Sequence, residues 1–577
     1  MALNLNETGE ILKGKRKNKE GAMKKTPLED MVRSLRDKLG PDLVLRDGNV
    51  ICMDSANTTT QAIAVRDKKI IAMGKNDEIE ALIGKNTEVI NLRGKTVLPG
   101  FVDSHFHPGS FILSLLKVNL ENCNTVDEML KLLRERVEQT NPGEWVEGSL
   151  LIPSSVLSAG ELNRWKIDDV SPKNPVHIRT LHHTCCVNSY ALNLLNINKD
   201  TPTREGWTIH KDATGEPTGI LKDKAMREVE AKIPPATLKE HIKASKIAME
   251  KFLEIGLTTI HDPLGNPEMI RVFQTLEHEG ELRLRVNISP EIEHYGHYYL
   301  DSGICTGFGS EKLRFQQMKI LLNTFSGGTA ALFEDYANDP GNKGYFLYPP
   351  EQVEEWVMNC VKTGWSVHIH VMGDREMDMV LTAYEKALDW YRKETGKDNN
   401  HLRLTIAHYG LYNQSLLKRT VASKIVVAIP PYFRLTKAKP GGIYEQRLGH
   451  ERWLRCFPVK TLFDSGVAPA IGSDGLSLPW FDPRLNIYAL LDGCGQPSEI
   501  ITPYQVIQGY TINSAYALFR EHEIGSIEIG KLADLVVWSE NPLMLSKERI
   551  WDISTHRPKD LLVEYTIVGG KVEYSRN

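Results

Sequence analysis

Short apolar runs alternate with amphipathic stretches along most of this chain. Strand-like runs are Phe101 to Ser104, Pro175 to Leu181, Gly256 to Asp262, Phe315 to Leu321, Trp365 to His370, Leu402 to His408, Ile425 to Pro430 and Val467 to Ser473. Between them lie segments with helical spacing of apolar positions, such as Glu351 to Lys362 and Met377 to Lys393. Strand–helix alternation predicts a parallel sheet, and over about 400 residues a distorted (β/α)8 TIM barrel is the architecture expected. Trp145 to Ile152 and Arg283 to Ser289 add further strand candidates. That excess predicts an insertion within about 120–235.

The two ends have a different rhythm. Asp42 to Cys52 reads as strand, Asp-Gly turn, strand, and Ala62 to Ala72 repeats the theme. Gly525 to Trp538 and Leu562 to Glu573 are again short strands with glycine turns. The domain reading is therefore a polar leader and short helix over 1–40, a barrel over 99–524, and a small β-sandwich domain built from 41–98 plus 525–577. In the leader, seven Lys or Arg against the single Glu20 lie between Lys13 and Lys25, the pattern of a solvated tail. Glu7, Glu10 and Glu20 argue against an organelle transit peptide.

Composition narrows the function classes. Of 577 residues, 41% are hydrophobic and 25% charged, with a net charge of −4, which gives no basic face for nucleic acid. No apolar run approaches the roughly 18 residues of a membrane span. The eight cysteines include no Cys-x-x-Cys pair and form no disulfide framework. These features predict a cytoplasmic protein with no nucleic-acid or membrane partner.

The chemistry concentrates at strand ends. His105 and His107 end an apolar run, and residues two apart on a strand share a face, so both imidazoles are expected to aim at one point. Lys319, His370, His408 and Asp474 each lie near the end of another apolar run. In a barrel of this type such ends meet at one mouth. Four imidazoles, a carboxylate and a lysine suit two divalent metal ions, zinc above all, although cobalt, manganese or iron accept similar ligands. A lysine ammonium repels metal, but carboxylated by CO2 its side chain becomes an anionic bridge.

The motifs Leu98-Pro-Gly-Phe-Val-Asp-Ser-His-Phe-His107, Gly215-Glu-Pro-Thr-Gly219, Met318-Lys-Ile320, His370-Val-Met-Gly-Asp374, Ala407-His408, Gly472-Ser-Asp474, Tyr510-Thr-Ile-Asn-Ser-Ala515 and Gly525-Ser-Ile-Glu-Ile-Gly-Lys-Leu-Ala-Asp534 occur in that order. In these the chain resembles the amidohydrolase superfamily, and within it the third amidohydrolase family, of YtcJ-like proteins and N-substituted formamide deformylases. The resemblance runs from about Asp42 to Val572. It implies a homo-dimeric, metal-dependent hydrolase of a non-peptide amide, formamide or cyclic amide C–N bond in a small-molecule substrate. By the same resemblance His105, His107 and Asp474 hold one metal, His370 and His408 the other, and a carboxylated Lys319 bridges. Asp474 then serves as general base and afterwards as acid, and His183 orients the substrate carbonyl. The chain departs from relatives at Leu181-His182-His183, Asn323-Thr324 and Ala407, beside the expected ligands, so substrate choice does not carry over.

Other residues have plainer readings. His368 points inward but deeper than His370, as a core histidine. His177, His182, and His261 with Asp262 read as structural or substrate-facing, and Cys185 has no nucleophile's partner. Trp207, Tyr336, Tyr432, Phe433 and Trp480 are candidates for an apolar pocket, or for core packing. Two alternative functions stay open on the same scaffold: a metal-dependent decarboxylase or isomerase, and a catalytically silent relative.

Overall fold

Parallel strands need long crossovers, and the helices between the apolar runs supply them. The computed structural model describes residues 36–120, 123, 125–150, 161–180, 184–202, 207–397 and 401–576. Most of the polar leader, His182 and His183 lie outside the described residues. The middle of the chain forms two parallel sheets. One has the order Leu313–Phe315, Arg285–Ile288, Leu257–Asp262, Phe101–Asp103. The other runs Gln317–Ile320, Ser366–His370, Thr405–Ala407, Val426–Ile429, Ala470–Ile471. Gln316 alone separates the two sheets in sequence, and the Ser104 N–H donates to the Ile471 carbonyl at 3.2 Å. Strands such as Val426–Ile429 are buried at every residue, as expected of a parallel sheet covered on both faces.

Several boundaries differ from the sequence reading, each for a local reason. Val467 to Ser473 shrinks to Ala470–Ile471, because Pro469 has no N–H to donate and the Ser473 N–H is taken by the Asp103 carboxylate. Phe315 to Leu321 is interrupted at Gln316. Trp145 to Ile152 and Pro175 to Leu181 pair elsewhere, as Val146–Leu150 and Val176–Thr180 of a six-stranded sheet spanning Val118 to Asp223. That sheet has its own core, with Leu120, Met129, Leu133, Val146, Ile167 and Ile178 packed together.

Both chain ends enter one six-stranded sheet, in the order Lys571–Ser575, Val563–Val568, Leu535–Trp538, Thr96–Pro99, Asn49–Ile51, Thr59–Thr60. A four-stranded sheet beside it has the order Lys69–Gly74, Ala62–Arg66, Leu43–Arg46, Glu88–Asn91. The Asp47-Gly48 turn does not make the hairpin its sequence resembles: it passes the chain from one sheet to the other. The hairpin forms instead between Ala62–Arg66 and Lys69–Gly74, where Asp67 and Lys68 both take positive φ, 49° and 70°. No helix among the described residues is long and apolar enough to cross a membrane.

The terminal sheets are clamped to the parallel ones by charge as well as packing. Arg285, 0% exposed, donates from Nε to Asp534 Oδ2 at 2.6 Å and from Nη2 to Oδ1 at 2.8 Å. Asp534 Oδ1 also accepts the Gly569 N–H at 2.7 Å. Removing Asp534 from a bidentate pair this dry leaves the buried guanidinium with Glu311 alone, whose Oε1 lies 3.1 Å from Nη1. Asp534→Ala is therefore expected to lower the unfolding free energy by about 3–5 kcal/mol, read from the denaturation midpoint and slope in urea. An unchanged midpoint would mean that Arg285 finds another partner.

Candidate active site

Two histidines aim at one point here by a device other than strand alternation. The strand ends at Asp103, so His105 and His107 lie in the turn beyond it, just before the helix Pro108–Ser114. What holds that turn is Asp103: its Oδ1 accepts the His105 N–H at 3.2 Å and the Ser473 N–H at 2.8 Å. The Asp474 N–H in turn donates to the His105 carbonyl at 2.6 Å. His107 Nε2 consequently sits 2.8 Å from Asp474 Oδ1, and His105 Nε2 lies 3.4 Å from the same oxygen.

The remaining candidates converge on this point. His370 is the last residue of its strand, and His408 follows the strand Thr405–Ala407. Their ring centroids are 4.2 Å apart, and the His408 ring is 5.0 Å from that of His105. One ligand atom each of His105, His408 and Asp474 lies within 4.8 Å of the others. His408 and Asp474 hold φ of 72° and 50°, a left-handed backbone that costs a side-chain-bearing residue about 1–3 kcal/mol and turns each side chain off its strand axis. Lys319 is 1% exposed, within the strand Gln317–Ile320.

The electrostatics suit metal ligation. Burial, with the Lys319 ammonium nearby, holds His370 at about 3 and His105 well below the usual imidazole range. Burial and the neighbouring His370 do the same for His408. All three are thus neutral at pH 7, the form that offers a lone pair. Burial brings Lys319 down to about 8 against the pull of Asp474, Glu293 and Glu291, so about one in ten is neutral at pH 7. His370 Nε2, His408 Nδ1, His107 Nδ1 and Lys319 Nζ are buried without a hydrogen-bond partner. Neutral imidazoles, a carboxylate and unsatisfied buried donor atoms are what divalent cations take as ligands, and this set fits them.

Other sequence candidates fall into place around the cluster. His261 is structural: its Nδ1–H donates to the Ser104 carbonyl at 2.7 Å and its Nε2 pairs with Ser289 Oγ at 2.8 Å. Asp262, the last residue of its strand, is buried and rises to about 6 through burial. The Phe433 ring is 5.8 Å from that of His408, and Tyr432 lies 4.7 Å from Phe433 and 5.8 Å from Trp480. Tyr336 is a core residue whose hydroxyl donates to the Ala330 carbonyl, and Trp207 belongs to the separate six-stranded sheet. His177 is buried in that sheet too. Cys185 is buried and its thiol is pushed up by burial, opposite to a nucleophile's need. Sequence reasoning passed over Asp103, two residues before His105 inside the motif. It also missed Glu291, Glu293 and His294, a more exposed acidic group beside the Lys319 strand.

The profile of the amidohydrolase family matches residues 88–574. The chain belongs to the amidohydrolase family. It is 29% identical over 556 residues to Protein LONG AFTER FAR-RED 3 of Arabidopsis thaliana, covering 92% of this chain and 91% of that protein. It is 26% identical to the N-substituted formamide deformylase of Arthrobacter pascens, over 93% of this chain and 98% of the relative. An uncharacterized metal-dependent hydrolase from Pyrococcus furiosus has the same fold, with a TM-score of 0.71 at 22% identity over 87% of this chain and 99% of that one.

In this amidohydrolase a close backbone approach lies beneath the histidines. A Cβ on Gly472 would meet the His105 N and Cβ at 2.5 Å, with rigid backbone on both sides. Gly472→Ala is expected to displace His105 and to lower stability by about 1–3 kcal/mol, measured by urea titration. A variant as stable as the parent would show that the His105 turn has room to move.

Proposed function

We propose that this amidohydrolase hydrolyses a non-peptide C–N bond (amide, formamide or cyclic amide) of a small molecule, using two divalent metal ions, with zinc the preferred identity. The observation that carries this reading is the convergence of four imidazoles, a carboxylate and a buried lysine, with His107 Nδ1, His370 Nε2, His408 Nδ1 and Lys319 Nζ left without partners. The names of the formamide deformylase and the metal-dependent hydrolase among its likenesses support it. The two parallel sheets, adjoining through Gln316 and through the Ser104–Ile471 bond, are read as one distorted (β/α)8 barrel over 99–524. The chain ends, 41–98 and 525–577, are read as a small β-sandwich domain.

When bound, the metal ions polarise the substrate carbonyl and lower the pKa of water toward ~7. His105, His107 and Asp474 would hold one ion, and His370 and His408 the other. Lys319 would bridge as its carbamate: the neutral amine attacks the carbon of CO2, an N–C bond forms, and a proton leaves to solvent. Asp474 takes a proton from the attacking water and delivers it to the leaving nitrogen as the C–N bond breaks. His183, which precedes Thr184 in sequence, would orient the carbonyl. Phe433, Tyr432 and Trp480 offer an apolar wall beside His408 for the substrate body. A cytoplasmic setting and a homo-dimer complete the reading, the former resting on eight free thiols.

Metal content by plasma mass spectrometry, with chelator-free purification, tests the site. About two ions per chain are expected, falling to one or none in Lys319→Ala. One ion, unaffected by the substitution, would remove Lys319 from the mechanism. Asp474→Asn should cut amine release from an N-substituted formamide panel by about 10²–10⁴-fold. Equal release would overturn the proton-transfer role.

A further inference from the structure

The second ring nitrogen of His105 is tied into a buried polar chain, and every link of that chain has a readable direction. The chain begins at the Arg403 carbonyl, which can only accept. Ser366 Oγ and Thr405 Oγ1 donate to it at 3.2 and 2.9 Å, so both hydroxyl oxygens are left as acceptors. Gln317 Nε2 faces all three oxygens, at 2.8 Å from Thr405 Oγ1, 3.3 Å from the Arg403 carbonyl and 3.5 Å from Ser366 Oγ. That pattern fixes the amide orientation, since the flipped amide would aim its oxygen at a carbonyl.

Gln317 Oε1 therefore points the other way, toward His368 Nδ1 at 3.3 Å. An amide oxygen accepts, so Nδ1 of His368 carries the hydrogen. His368 is 1% exposed, and an imidazole whose single hydrogen sits on Nδ1 presents Nε2 as a bare acceptor. That nitrogen is 3.0 Å from His105 Nδ1, which must then be the donor. With its single hydrogen on Nδ1, the His105 imidazole presents Nε2 as a lone pair. This lone pair faces Asp474 Oδ1 at 3.4 Å: two acceptors with no proton between them, an arrangement that a cation relieves.

We propose that Gln317 and His368 are positioning residues that set the tautomer of His105, locking its hydrogen on Nδ1 and directing the Nε2 lone pair at the metal position. The inference rests on the metal-dependent reading of the site and adds two residues to it, neither among the proposed ligands. It also gives His368 a purpose beyond packing. Gln317, His368, Ser366 and Thr405 are each 1% exposed, so no bulk water competes for these bonds. Partners behind a ligating histidine typically change metal affinity 10–100-fold when removed.

The test measures Zn2+ affinity of the full-length protein by competition with a chromophoric chelator. Gln317→Met keeps the volume but removes the acceptor, freeing His368 to move its hydrogen to Nε2 and His105 to do likewise. A loss of about 10–100-fold is expected, although Gln317 touches no ligand. His368→Leu should lose at least as much. His368→Gln should retain most of the affinity, because its amide can accept from His105 and donate to Gln317 as the imidazole does. Affinity in Gln317→Met equal to the parent's would overturn the relay, and so would a His368→Gln variant as weak as His368→Leu. If His368→Leu fails to fold, Gln317→Met against His368→Gln decides the matter alone. Zn2+ bound tightly by the parent and equally by every variant would sink the relay but leave the proposed function standing. A parent that binds no Zn2+ would overturn both.

Discussion

One buried carboxylate holds the candidate site together. Asp103 Oδ1 accepts backbone hydrogens from His105 and from Ser473, which is 370 residues further along the chain. Strand pairing cannot do this, because the ladder on one side has ended at Asp103 and on the other at Ile471. Beyond the last ladder bond the backbone must find other acceptors or leave buried N–H groups unsatisfied. Asp103 supplies that acceptor, and the Asp474 N–H to His105 carbonyl bond completes the stitch. Burial raises the Asp103 carboxyl to about 7 even with these donors, so its position costs the fold something and its value lies in where it puts His105 and Asp474.

The same logic extends outward. Helix crossovers carry the chain round, but they do not by themselves bring Phe101–Asp103 beside Ala470–Ile471. The first and last parallel strands are set by the chain ends: Thr96–Pro99 pairs with Leu535–Trp538 in a sheet shared by both termini. Phe101 packs there on Tyr510 and Trp538, each at 5.4 Å. Arg285 reaches Asp534 from the opposite side of that seam. Fixing the two ends against each other fixes the strands that begin and end the parallel sheets, and so the approach of His105 to Asp474.

Much of this was legible in the sequence, in proportion to how local its cause is. Apolar runs with flanking helices located Leu257–Asp262, Ser366–His370 and Val426–Ile429, because burial on both faces writes itself as consecutive Val, Ile and Leu. The family was legible from ordered motifs. The Asp47-Gly48 turn misled, since a turn dipeptide specifies a local bend and not which strand becomes the neighbour. The strand assignment for His105 and His107 misled similarly: an apolar run does not announce where its ladder stops. Pattern placed His368 in the core, deeper than His370, but gave no bonding role to it, to Asp103 or to Gln317. Their roles are hydrogen-bond directions between residues far apart in sequence, which no periodicity encodes.

The cluster is also a store of unfavourable free energy, which explains why so much scaffold surrounds it. Buried polar atoms without partners cost about 1–3 kcal/mol each, and His370, His408 and Lys319 each contribute one. Left-handed backbone at His408 and Asp474 adds to that cost. The neutral state of the imidazoles is itself a product of this crowding, because burial and the Lys319 ammonium both oppose a second positive charge. A softer scaffold would relieve the strain by letting the rings turn toward one another or toward water. The close approach of Gly472 to His105 and the polar chain behind His105 remove those escapes. Binding energy from a ligand that satisfies all the open atoms at once then adds directly to fold stability. The histidines are kept from satisfying themselves, and that refusal is what makes the site receptive.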